Sequence, residues 1–242
     1  MKYKMTVLLA CALLLSNGWA RAADKNGDVL PRRFSDAMTW NLQNRVEDIT
    51  ITKVAVPSNP ASRPGAAEKG KAPSLPDQVS QGSAARNVTE KGVLEDQVFG
   101  STGNDENALR VTGASVTLKN VEIMKEEGTS SSTESGDFYG MNAALLATDG
   151  ARVTVEDSAV HSAALNGNGL FSYGKGTMIS AKNVTITTEG SHSGGLQTTG
   201  GALTEAENVT ISTAGNSSAA IRSDRGGGTV LVKGGTFRTE GY

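Results

Sequence analysis

Residues 145–160 read LLATDGARVTVEDSAV, and the same phrase returns as FSYGKGTMISAKNVTI at 171–186 and LQTTGGALTEAENVTI at 196–211. An earlier copy, NALRVTGASVTLKNVEI, spans 107–123, and a more divergent one, IRSDRGGGTVLVKGGTF, spans 221–237. Each copy closes on an apolar residue: Ile123, Val160, Ile186, Ile211 and Phe237, with steps of 37, 26, 25 and 26 residues. A strand-type repeat of this length excludes most repeat architectures. Helical repeats need a 3.6-residue pattern, and propeller blades run to ~40–45 residues. A coil of a parallel β-helix fits. Each coil divides into three short β segments, for example 144–148, 152–156 and 159–163, separated by Gly, Asn, Asp and Ser. Those residues tolerate turns and positive φ. Five coils at ~4.8 Å spacing form a rod of about 24 Å.

One column recurs three residues before the closing position: Asn120, Asp157, Asn183 and Asn208, with Gly234 in the last coil. It reads as an internal structural ladder at a turn that needs left-handed geometry. The competing reading is a polar ligand column. The long step holds an insertion, 125–142, rich in Ser, Thr, Glu and Gly and carrying Phe138 and Tyr139. A loop thrown out from a rigid scaffold is where binding resides, so Phe138, Tyr139 and Asn142 form the candidate contact loop. The alternative is that the two rings fold back over the side of the rod.

The tandem G-x-x-V-T and N-V-T-I pattern resembles right-handed parallel β-helix proteins of bacterial surfaces, specifically exported, adhesin-like ones. The residues that carry the resemblance are SGDFYGMNAALLATDG (135–150), GLFSYGKGT (169–177), SGGLQTTGG (193–201) and AAIRSDRGGGTVLVKGGTF (219–237). It covers about 105–242 and implies an all-β solenoid that works as a surface or secreted binding scaffold without catalysis. A glycan, or a host or neighbouring cell surface, is the implied partner. Such proteins usually continue for more coils, so a remnant of a longer β-helix protein is a further reading.

The rest of the chain agrees with export. Residues 1–22 carry Lys2 and Lys4, an apolar run and Ala20-Arg21-Ala22, as a signal peptide does. Removing them leaves 20 basic against 25 acidic residues, a charge of −5. Neither this charge nor the 5% aromatic content suits a nucleic-acid binder. The single cysteine, Cys11, lies within the signal, so the processed chain has no thiol chemistry. No later run is apolar enough for a transmembrane segment. Phe34, Met38, Leu42 and Val46 recur every four residues and predict a helix in a capping region, 23–56, and 48–56 alternates like a strand. Proline, glycine and serine mark 57–104 as a flexible linker. The β-helix is expected over 105–242.

The chemistry-bearing residues make a poor catalytic set. Carboxylates of a β-helix enzyme would recur one period apart, but Asp149 maps onto Lys175 and Gly200. Glu156 maps onto Lys182 and then Glu207, an alternation that suits a solvated face. Asp224 between Arg222 and Arg225 is the one charged cluster, and it precedes a glycine turn that lacks the phosphate-loop ending. His161 and His192 are out of register, so no metal or other cofactor is expected. A carbohydrate-active lyase or hydrolase is the runner-up. Finally, Val230, Val232 and Phe237 should line an open C-terminal coil, which predicts self-association through that end.

Overall fold

The computed structural model describes residues 79–241, together with the backbone of residues 49–52. The signal peptide, the predicted helix at 34–46 and residues 57–78 lie outside the described residues. What is described is a parallel β-solenoid of six coils.

Each coil contributes one strand to each of three faces. Face A holds Ser83–Val88, Glu106–Thr112, Leu145–Thr148, Leu170–Tyr173, Leu196–Thr199 and Ile221–Ser223. Face B holds Gly92–Glu95, Ser115–Lys119, Arg152–Glu156 and Met178–Lys182, and face C holds Val98–Ser101, Glu122–Lys125, Ala159–Ser162 and Thr185–Thr188. In the last two coils single strands, Ala202–Thr213 and Gly228–Thr239, run through the corner and serve both B and C. Every coil-to-coil pairing is parallel.

The closing residues pile in a single row. Phe99, Ile123, Val160, Ile186, Ile211 and Phe237 are register partners in succession along face C. Leu109, Leu145, Leu170, Leu196 and Ile221 form the equivalent row on face A. Strand alternation sends these residues inward, where one core cluster takes them in. Each fully buried Leu or Ile stabilises the rod by roughly 1.5–3 kcal/mol. Thr204 breaks the apolar pattern on face B, and its hydroxyl lies 2.7 Å from both Ser172 Oγ and Thr198 Oγ1, so the buried hydroxyls satisfy one another.

Two expectations change. The first coil, Ser83–Ser101, falls inside the stretch read as a linker to 104; its strands pair in register with the second coil despite weak apolar content. Backbone pairing with a formed coil supplies what side-chain burial there lacks. The C-terminal end is also not fully open. Ile49–Thr52 lies antiparallel on Thr229–Val232, with Ile49 opposite Val232 and Thr52 opposite Thr229. Val230 and Val232 are buried, while Phe237 is half-buried.

The turn column keeps its geometry but not its place. Asp96, Asn120, Asp157, Asn183, Asn208 and Gly234 all have positive φ, between 48° and 65°. Asn183 Nδ2 donates to Asp157 Oδ1 at 2.8 Å and Asn208 Nδ2 to Asn183 Oδ1 at 2.8 Å, and Asn120 Nδ2 donates to Asp96. These bonds lie on the surface at the B–C corner, so the ladder is external rather than internal. A left-handed turn points its side chain out of the bend. Asp157 carries no amide hydrogen, so the relay has nothing to pass from it to Asn120.

Candidate functional site

The insertion is not thrown out. Residues Thr133–Tyr139 form a helix capped by Ser132, whose Oγ accepts from Ser135 N at 3.1 Å, and ended by Gly140 at φ 80°. This helix lies on the outer side of face A. The reason is visible in the strands beneath it. Leu145–Thr148 and Leu196–Thr199 are buried at every position, so both sides of the sheet are covered. Ala143, Leu146 and Phe171 make a small second core between sheet and helix, with Tyr173 packed against it. Had the loop stayed in solvent, that apolar layer would be bare.

A seven-residue helix leaves its last carbonyls without helical partners. The solenoid supplies the donors. Asn168 Nδ2 reaches Gly136 O at 3.2 Å, Gln197 Nε2 reaches Asp137 O at 3.0 Å and Thr199 Oγ1 reaches Phe138 O at 2.7 Å. Gln81 Nε2 takes Tyr139 O at 2.9 Å, and Asn107 Nδ2 takes Gly140 O at 2.7 Å. Gly136 permits the close approach, because a Cβ there would meet Asn166 Cβ at 2.5 Å.

The three contact-loop residues part company. Tyr139 is 8% exposed and meets Tyr173 edge-on, with ring centroids 5.6 Å apart. Burial, together with Tyr139 and Asp149, raises the Tyr173 hydroxyl above its usual range. Asn142 is fully buried at φ 67°, donating to Leu165 O at 2.7 Å. Both are therefore structural, because the fold-back needs an anchor and a left-handed turn. Phe138 alone keeps an open edge.

Around Phe138 the structure joins two regions that the sequence kept apart. Arg225 Cζ lies 4.0 Å from the Phe138 ring centroid and Arg222 Cζ lies 5.8 Å from it. Arg225 also pairs with Glu134. Burial lowers the Arg225 guanidinium, but its bonds to Glu134 and Tyr139 outweigh this and leave it raised. Arg222 gives both Nε and Nη2 to Asp224 Oδ2 at 2.9 Å, and Asp224 Oδ1 accepts from Arg225 N at 2.8 Å. Asp137, 8% exposed, sits at the centre. It accepts from Asn166 Nδ2 at 2.8 Å, and its other oxygen lies 3.2 Å from His192 Nδ1 and 3.8 Å from Arg222 Nη2. Glu134, Asp137 and His192 were missed as site residues. The signal available was Ser132 before the acidic Glu134, with Gly140 beyond, the marks of an N-cap, a first-turn acid and a C-terminal glycine.

The assembled patch is an aromatic ring flanked by two guanidinium groups and three carboxylates. Each charge already has a partner, so the polar groups are held in place before any ligand arrives. Among the described residues, no group of three or more His, Cys, Asp or Glu side chains is placed to hold a metal ion. None of their helices is long and apolar enough to cross a membrane. Comparison with protein-family models, curated proteins and solved structures finds no match to this chain.

Proposed function

We propose that this protein is an exported, adhesin-like β-solenoid that binds and displays without catalysis, and that the Phe138 patch is its contact surface. The solenoid is the scaffold. The observation that carries the reading is the placement of Phe138 against Arg225 and Arg222, with Asp137 and Asp224 alongside. A partly open ring beside planar polar groups is the chemistry that recognises a sugar: the exposed part of the ring, away from the side that Arg225 covers, meets an apolar sugar face, and guanidinium and carboxylate groups meet its hydroxyls. The ligand class is a glycan on a host or neighbouring cell. The 1–22 segment supports export to the cell surface or medium. A glycan-array comparison of the native chain with Phe138→Ala tests this. Binding that depends on Phe138 supports it, and identical array profiles reject it.

A carbohydrate-active enzyme is the second reading, favoured by one observation. Asp137 and Asp224 approach the same Arg222 nitrogen, at 3.8 Å and 2.9 Å, so two carboxylates converge on one point of the patch, and glycosidases act through such a pair. Both carboxylates already lie against Arg222, so neither is a free group aimed at a substrate. Release of reducing ends or unsaturated products from acidic polysaccharides, lost in Asp137→Asn, would establish that reading instead.

A further inference from the structure

The outer corner of face B carries a column whose sign alternates over all six coils. Glu95, Lys119, Glu156, Lys182, Glu207 and Lys233 are successive register partners. Lys119 and Glu95 are 3.2 Å apart, and Lys182 and Glu207 are 3.4 Å apart. The Glu95 carboxylate, bonding Lys119, raises that ammonium group above its usual range. The alternation starts on an acid and ends on a base, so the two ends of the rod are electrostatic complements.

Other columns also match in kind at the two ends. Continuing the observed register from the sixth coil onto another first coil sets Lys233 on Glu95, Phe237 on Phe99 and the Gly234 turn on the Asp96 turn. It also sets Leu231 on Val93. Val93 is 64% exposed and Val98 62%, and the exposed large hydrophobics of the described residues, Val79 included, all lie in or just before the first coil. The apolar patch and the terminal acid of the column thus occur at the end where the sixth coil of another molecule would fit.

From this we infer that a second copy of this chain is the partner for the rod's ends, stacking head to tail with its first coil on the sixth coil of its neighbour. Such an interface is heterologous, so it propagates rather than closes. Ile49–Thr52 covers Thr229–Val232, four of the twelve residues of the last coil's strand Gly228–Thr239, and so competes with the incoming coil over that part of the edge. It acts as a tethered guard: stacking requires its release. This inference does not rest on the glycan reading, since none of its residues belongs to the Phe138 patch.

Sedimentation velocity on the full chain, over a concentration series, tests it with two charge variants. Lys233→Glu leaves acids at both ends, and Glu95→Lys leaves bases at both ends. Each alone should associate about three- to tenfold more weakly than the native chain. An equimolar mixture of the two should recover association, because Glu at position 233 then meets Lys at position 95. Both positions are exposed, and circular dichroism of each variant checks that the solenoid is intact. Replacing Ile49–Thr52 with Gly-Ser-Gly-Ser should strengthen stacking in a Lys233-dependent way. Mixtures that behave like the separate variants, or association indifferent to Lys233, overturn the inference.

Discussion

Phe138 and Arg225 stand 87 positions apart in the chain, yet the guanidinium carbon lies 4.0 Å from the centre of the ring. The contact joins an insertion after the second coil to the turn that follows the last face A strand. It ties the helix across the rod, with Glu134 adding an ion pair to the same arginine.

Arg225→Ala should therefore loosen the helix more than it harms the solenoid. A partly exposed cation–π contact contributes ~0.5–1 kcal/mol. Hydrogen exchange at residues 133–139 should quicken, while the amides of the face C row stay protected. Equal exchange in both regions before and after substitution would count against the tie.

Ile186 is fully buried between Val160 and Ile211 in the face C row. Ile186→Ala should cost roughly 2–5 kcal/mol, since neighbouring coils are held by pairing and cannot collapse into the gap. Urea unfolding reads the loss directly. A cost under about 1 kcal/mol would mean the row is not the core.

The turn ladder separates backbone from side-chain effects. Asn183 sits at φ 54° and is bonded on both sides, to Asp157 and from Asn208. Asn183→Ala loses both the bonds and the tolerance of left-handed geometry, at ~1–2 kcal/mol for the latter. Asn183→Gly restores the backbone freedom and should recover most of the stability. If the two variants unfold at the same urea concentration, the exposed amide bonds rather than the turn geometry carry the column.

Lys125 gives a pH signature. Its side chain is fully buried at the corner between faces C and A, bonded to Ser101 Oγ at 3.1 Å and to Gly103 O. Ser101 in turn donates to Glu106 Oε2 at 2.6 Å. Burial lowers the Lys125 amine from 10.5 to about 8, against the opposing pull of Glu106 and Asp105. Above that value the folded chain sheds a proton that the unfolded chain still holds, so stability rises with pH between about 8 and 10. Below about 8 both states are protonated and this contribution is level. Urea midpoints across that window should climb in the native chain and flatten in Lys125→Met. A native midpoint that falls through the window would contradict the buried, neutralised amine.

The repeat makes the solenoid legible in the sequence, because a period of 25 or 26 with strand-type alternation has few packing solutions. Asn120, Asp157, Asn183 and Asn208 announced left-handed turns through residue type alone. The first coil escaped notice because Val93 and Val98 are among its few large apolar residues and both face solvent. The insertion was ambiguous for a different reason. Its two rings suit exposure and burial equally, and the deciding residues, Leu146 and Phe171, lie on other strands.

Sequence by itself determined what depends on near neighbours along the chain: the coil length, the inward rows, the positive-φ turns and the alternating corner charges. Each is repeated locally, so each is written in every copy. Tertiary structure decided what happens once. It seated the helix on face A, gathered Asp137, His192, Arg222 and Arg225 around Phe138, and brought Ile49–Thr52 to the far end of the rod. Those contacts arise between surfaces that exist only after the coils have stacked, and no periodic pattern encodes them.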